Sequence, residues 1–326
     1  MISPVQHHSL PFLKPILDLE FKIKIVNNLI NKQNYLDLNT DIFALIFSFY
    51  QLKELFFNSL QPLEKLQIVR QSNRPTTLDI ISSMLQDPLE LNGDRNGSND
   101  TALIGGLGML YKQPVLFIGH QKGKNAQDNI FRNFGMASPG GYRKALRLMK
   151  HANTFNLPIL SFIDTPGAWA GVNAEKMGQG QAIATNLREI FSLNVPIITT
   201  IIGEGGSGGA LGIGIADKIF MLEHSIYTVA TPEACAAILW KNNRQAFEAA
   251  KALKITALDL YCLNIIDKII YEPIKKYPFN STEIVKSLKQ NIYKELVLLK
   301  QLSVQRLKKL RLKKFRTMGF YYSNEV

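Results

Sequence analysis

The residues most able to do chemistry lie in one glycine-dense stretch, GEGGSGGALGIG, at positions 203–214. Three chemistries can be read there. Gly205, Gly206, Ser207, Gly208 and Gly209 fit G-x-S-x-G, the sharp turn that presents a nucleophilic serine. That reading needs a histidine and a carboxylate. His224 is the only histidine downstream, with Asp259 or Asp267 as later acids. The same stretch fits G-x-G-x-x-G, a dinucleotide fingerprint, with Glu223 ending the next strand as the ribose contact. That pattern belongs in the first strand–helix unit of a fold, whereas this stretch follows the third. The third reading uses no side chain. Glycines strip a strand-to-helix turn bare, so backbone N–H groups at the helix start can meet a developing negative charge. A second glycine turn, DTPGA at 164–168, offers another set of amides. Two backbone holes without a nucleophile suit enolate or carboxylate chemistry on a polarised carbonyl.

These turns must be carried by strands. KQPVLFIGHQKG (112–123), NLPILSFIDTPGA (156–168) and NVPIITTIIGEGGSGG (194–209) each give a proline, a run of β-formers and a glycine loop. Continuous apolar runs are the mark of parallel strands covered on both faces. Helical stretches follow at 141–155, 174–193 and 209–216, with shorter strands in TALIGGLGML, KIFMLE and IYTVA. Repeated strand–strand–helix units imply a stacked spiral. Residues 16–70 and those from 244 onward are dominated by helical periodicity. Thr77 or Asp79 is the expected cap of the short helix at 80–87.

Composition narrows the classes. Of 326 residues, 46% are hydrophobic and 20% charged, as in ordinary globular chains. Two cysteines, Cys235 and Cys262, exclude a disulfide framework and read as buried, reduced thiols. The five histidines contain no H-x-x-x-H pair, so no metal site is expected in this chain. No apolar run approaches the ~20 residues that span a bilayer. The first 20 residues have neither a signal-peptide pattern nor the arginines of a transit peptide. The net charge of +12 owes much to RLKKLRLKKFR at 306–316, where Leu307, Leu310 and Leu312 alternate with cations. A solvated helix face or a dock for an acidic partner is favoured over nucleic-acid or membrane binding, since no aromatic interleaving accompanies it.

The motifs GDR, IGHQKG, RNFGM, GYRKALRLM, FIDTPGA, IGEGGSGGALGIG and PEACAAILW occur in that order. Together they resemble the carboxyltransferase alpha subunit of multi-subunit acetyl-CoA carboxylase, of bacterial and plastid type. The resemblance implies an α/β fold, a crotonase/ClpP-like spiral of ββα units with helical extensions at both ends. The expected divisions are a helical segment at 1–85, a spiral carboxyltransferase core at 86–255 and a basic helical segment at 256–326. It implies transfer of a carboxyl group from carboxybiotin, presented by the biotin carboxyl carrier protein, to acetyl-CoA, giving malonyl-CoA for fatty acid synthesis. The implied partner is a beta subunit bearing a zinc ribbon, in an alpha2beta2 assembly, with biotin carboxylase in the larger complex.

By the same resemblance, the amides of Gly208 and Gly209 would hold the biotin ureido oxygen. Gly167 and Ala168 would supply a second contact, with Gly205, Gly206 and Ser207 shaping the turn. Lys122 and Arg132 would touch CoA phosphates or be solvated or interface charges. Where the family usually has Tyr, Pro and a basic residue, this chain has Trp169, Ala170 and Met177; Thr231 and Ala234 stand for Ser and Gly. The abundance of Asn, Ile, Lys, Leu and Phe, a usage typical of AT-rich genomes, and the expected lack of a transit peptide suit a plastid stroma, with a bacterial cytoplasm as alternative. Two competing readings stand beside this one. A crotonase-type hydratase or isomerase would use Glu204 or Glu233 as its carboxylate. A non-catalytic basic interaction protein would use the C-terminal cations.

Overall fold

The computed structural model describes residues 10–33, 39–273 and 281–319. The first nine residues of the stretch read for targeting signals lie outside them. The chain opens with helices α1 (Lys14–Gln33), α2 (Asn39–Asn58), α3 (Pro62–Val69) and α4 (Thr77–Met84). The cap of α4 is Thr76, one residue before the expected position. Its hydroxyl accepts from the Asp79 N–H while the Asp79 carboxylate accepts from the Thr76 N–H, a reciprocal capping box.

Strands β1 (Gln86–Glu90), β2 (Leu103–Leu110) and β3 (Gln113–His120) form an antiparallel meander. Helices α5 (Ala126–Phe131) and α6 (Pro139–Thr154) lead to β4 (Ile159–Thr165); α7 (Val172–Lys176) and α8 (Gln179–Ser192) lead to β5 (Ile197–Gly206). Helix α9 (Ser207–Gly214), β6 (Lys218–Leu222) and β7 (Ile226–Thr228) follow. The chain ends with α10 (Pro232–Trp240), α11 (Ala246–Ala252), α12 (Ala257–Cys262), β8 (Lys268–Ile270), α13 (Ser281–Lys300) and α14 (Val304–Thr317).

The sheet runs β1-β2-β3-β4-β5-β6-β8, parallel from β3 onward, with β7 paired to β5 alone. Every residue of β4 and β5 is buried, as the uninterrupted apolar runs require. Side chains alternate between two cores. Leu160, Phe162, Ile198 and Ile202 face α4 and α13, while Ile159, Ile163, Ile197 and Ile201 face α6, α8 and α9. β5 changes partner along its length. Ile198 to Ile201 pair with β6, and Glu204 to Gly206 pair with β7. This split leaves the end of β5, where the glycine turn begins, between β4 and β7.

Past residue 255, β8 extends the sheet beside β6 and α13 buries Ile284, Leu288, Ile292 and Leu296 in the same core as β4 and β5. Two sequence expectations are corrected. The basic C-terminal run is not simply a solvated face. Arg311 is buried, chelates Asp217 and donates to the carbonyls of Ile190, Leu193 and Val195, and Lys314 pairs with Asp267. Cys235 is buried as expected, but Cys262 is exposed because it ends α12 on its outer side.

Candidate active site

The glycine stretch is not a loop. β5 runs through Gly206, and α9 begins at the next residue. The whole reversal falls on Ser207, an exposed residue with a left-handed φ of +48°. Such a conformation is uncommon outside glycine and concentrates where function over-determines the backbone. The N-cap of α9 is Gly206, which has no side chain, so nothing from its own cap covers the first-turn amides of Ser207, Gly208 and Gly209.

Close backbone packing explains the neighbouring glycines. A Cβ on Gly206 would lie 2.0 Å from the Pro166 oxygen, and one on Gly209 would lie 2.5 Å from the Ala168 nitrogen. The two glycine turns therefore touch backbone to backbone. Gly208 and Gly167 differ. A Cβ on Gly208 would meet nothing closer than 3.8 Å, and one on Gly167 nothing within 4 Å. Gly167 thus faces open space, and Gly208 has room for a side chain beside Ile183. In front of Gly208 lies a mostly apolar cavity of about 340 Å3, walled by Leu211, Tyr227, Val229, Leu253, Leu260 and Ile265. The Tyr227 ring also packs on Gly205.

The turn is braced from below. Tyr142 Oη donates to the Gly209 carbonyl at 3.1 Å. Asn186 Nδ2 donates to the carbonyls of Tyr142 and Gly212, tying α6, α8 and α9 together. His120 is fully buried beside the Gly209 backbone, and neither ring nitrogen makes a well-formed hydrogen bond among the described residues. Burial, aided by the Lys122 charge, lowers its pKa to about 3, so the ring is neutral.

On the other side of the turn, Lys122, Asp164 and Glu204 meet at the ends of β3, β4 and β5. Lys122 Nζ lies 2.9 Å from both carboxylates. Arg70 reaches Glu204 at 3.1 Å and Glu233 at 3.3 Å. A second cavity of about 400 Å3 opens here, bounded by Arg70, Lys122, Asp164, Pro166 and Glu204.

Among the described residues, no histidine or carboxylate hydrogen-bonds Ser207. His224 is buried against Phe57 and its backbone N–H donates to Glu272, while Asp259 holds Thr256 and Asp267 holds Lys314 and the Ile219 N–H. Glu223 accepts from the Glu272 N–H beside β8, away from the glycine turn, so no dinucleotide cradle forms. Glu204 and Glu233 do not project as acid–base groups; both are tied to Arg70 and Glu204 also to Lys122, whose charges hold the Glu204 carboxyl below its usual range despite burial. Lys122 is committed to carboxylates, and Arg132 to Asp128 and the Thr101 carbonyl. The Gly167 N–H is already taken by Thr165 Oγ1, leaving Ala168 as the amide of that turn without a partner among the described residues. Thr231 caps α10 through its hydroxyl, a task serine would share. Asp164 and Thr165 lie in FIDTPGA and Tyr142 in GYRKALRLM, where residue type and spacing do not reveal these contacts, and Arg70 lies outside all the motifs.

With this geometry in place, similarity decides the family. A sequence model described as acetyl co-enzyme A carboxylase carboxyltransferase-like matches residues 9–319. The acetyl-coenzyme A carboxylase carboxyl transferase subunit alpha of Antithamnion sp. is 58% identical over 314 residues, covering 96% of this chain and 97% of that protein. The chain belongs to the carboxyltransferase alpha-subunit family. The subunit of the same name from Synechococcus elongatus is 53% identical, covering 96% of this chain and 95% of its own length. Among solved structures, transcarboxylase 12S aligns with a TM-score of 0.54 at 16% identity over 76% of this chain. The geranyl-CoA carboxylase beta subunit of P. aeruginosa aligns at 0.55 and 15% over 77%. This chain spans 43% and 46% of those two, and at such identity they establish the shared crotonase-like fold alone.

Proposed function

We propose that this chain is the biotin-side half of an acetyl-CoA carboxylase carboxyltransferase. It acts with a beta subunit to move a carboxyl group from carboxybiotin on the carrier protein to acetyl-CoA. The observation that carries the reading is the uncapped start of α9, with Gly208 open toward an apolar cavity and Gly209 braced by Tyr142. The cavity suits an apolar ring bearing one polar oxygen, which is the chemistry of a ureido bicycle. Biotin, when bound, supplies the carboxyl group and the ring nitrogen that takes the acetyl proton.

The chain's own part is electrostatic. The Gly208 and Gly209 amides would hold the ureido oxygen and stabilise negative charge there. One such donor is worth about 3–4 kcal/mol to a transition state of this kind. The apolar walls strengthen that term by excluding water. No side-chain base is needed, which agrees with Glu204 being locked in ion pairs.

Exposed apolar side chains include Val229 at the cavity before Gly208 and Phe134 at the Lys122–Glu204 cavity, and Val172, Met177, Ile238 and Trp240 are exposed as well. A surface of this kind marks a protein contact, and the beta subunit is the partner it suits. Zinc belongs to that subunit, in an alpha2beta2 assembly that works with the carrier protein and biotin carboxylase. Relatives from Antithamnion and Synechococcus support a plastid stroma or a cyanobacterial-type cytoplasm as the setting.

The test mixes the purified chain with a cognate beta subunit and follows malonyl-CoA-dependent carboxylation of free biotin. Activity in the mixture and in neither chain alone is expected. No activity in the mixture, with the beta subunit shown to bind, would overturn the assignment.

A further inference from the structure

We propose that Lys122 is a positioning residue for carboxyl transfer, fixing the spacing between the two glycine turns by bridging Asp164 on β4 and Glu204 on β5. The inference rests on the functional reading above. It starts from a fault in the sheet. β4 and β5 pair regularly from Ile159↔Ile197 to Ile163↔Ile201, but the next pair is Thr165↔Gly205. β5 thus carries two extra residues just before the turn, and the backbone ladder lapses there. Side chains take its place. The Glu204 N–H donates to Asp164 Oδ1 at 3.0 Å, and Lys122 Nζ closes the gap to both carboxylates at 2.9 Å. Gly203 makes room, since a Cβ there would lie 2.1 Å from Asp164 Oδ1.

The two anchors sit next to the working amides. Asp164 precedes Thr165, whose hydroxyl fixes Gly167, and Glu204 lies four residues before Gly208. A slip of β4 against β5 at this fault would move the turns apart, and misplacement of about 1 Å in such a site costs on the order of 100-fold in rate. The groups facing Lys122 are Asp164, Glu204 and neutral His120, with Arg70 and Glu233 behind Glu204. Its own side chain is 18% exposed. Two carboxylates already neutralise it, so it is built to hold strands and not to bind phosphate.

Ionisation supports the picture. The carboxylates hold the lysine pKa above its usual value, and Lys122 and Arg70 hold the Glu204 pKa below its own. The wild-type bridge therefore stays charged across the neutral range. In Lys122→Met the Glu204 carboxyl loses one of the two cations that hold its pKa down, so lowering the pH lets it take a proton and hydrogen-bond Asp164.

The experiment uses the full chain assembled with its beta subunit, with malonyl-CoA-dependent biotin carboxylation as the readout. For Lys122→Met and Glu204→Gln, kcat is expected to fall about 10- to 100-fold, with KM for malonyl-CoA and biotin changed by less than about twofold. The Lys122→Met defect is expected to shrink as pH falls from about 8.5 to about 6, which a general loss of stability would not produce. Wild-type kcat in both folded variants would overturn the positioning role and leave the functional reading intact. A rise in KM alone would also overturn it, since that marks substrate contact. If Lys122→Met fails to fold by circular dichroism, Glu204→Gln decides. If the wild-type assembly is itself inactive, the functional reading fails and takes this role with it.

Discussion

At the scale of single residues, the glycines of the turn divide into those that pack and those that open a site. Gly209 has its neighbour's backbone where a side chain would be, whereas Gly208 has room for one, with Ile183 at 3.8 Å as its nearest neighbour. The two should fail differently. Gly208→Val is expected to fold and bind the beta subunit yet lose about 100- to 1,000-fold in turnover, because the new side chain fills the approach to the amides. Gly209→Ala should instead lower stability by about 1–3 kcal/mol through overpacking against Ala168. Thermal melts and steady-state kinetics on both variants separate the effects. Equal stability losses would show that Gly208 is a packing residue.

At the scale of elements, the C-terminal helix α14 is held by a buried cation. Arg311 is only 1% exposed and joins Asp217 at the start of β6 to the carbonyls ending α8. Truncating one partner of a buried ion pair leaves the other charge stranded and costs about 3–5 kcal/mol. Arg311→Met should lower the urea midpoint accordingly, while Lys309→Met on the same helix, exposed and with no pair among the described residues, should change stability by less than about 0.5 kcal/mol. The basic run was legible in the sequence as charge and leucine spacing. Which of its cations turn inward was not, because Asp217 lies about ninety residues away.

At the scale of the whole molecule, two buried histidines set the acid limb of stability. Burial lowers the pKa of His120 to about 3 and of His224 to about 4, against an ordinary value near 6.5. The unfolded chain takes up these protons first. Stability is therefore full above about pH 6.5 and falls as pH drops toward the folded values, at up to about 1.4 kcal/mol per pH unit for each ring. Glu223, whose pKa burial raises, opposes this trend in part. Denaturant melts between about pH 7 and about pH 4.5 should show the decline, and His224→Gln should flatten it. Assembly is the second whole-molecule property. Trp240 is 42% exposed beside Ile238 and Leu239 on α10. Covering it with the beta subunit should shift tryptophan emission to shorter wavelength; unchanged emission in an active complex would place the contact elsewhere.

By itself, the sequence determined the class of fold and the family. Apolar runs too continuous for one-sided strands demanded a covered parallel sheet, and seven ordered motifs carried the family, while two glycine turns suggested the backbone chemistry we propose. All follow from properties local to a few residues: periodicity, proline placement and the missing Cβ. Only the tertiary structure decided how those turns work. It placed the entire reversal on Ser207, gave the Gly167 amide to Thr165, drew Lys122 and Glu204 into one bridge and turned Arg311 inward. Each of these depends on residues far apart in the chain meeting at strand ends. Sequence spacing does not encode such meetings, because they are set by register and by the two-residue fault between β4 and β5.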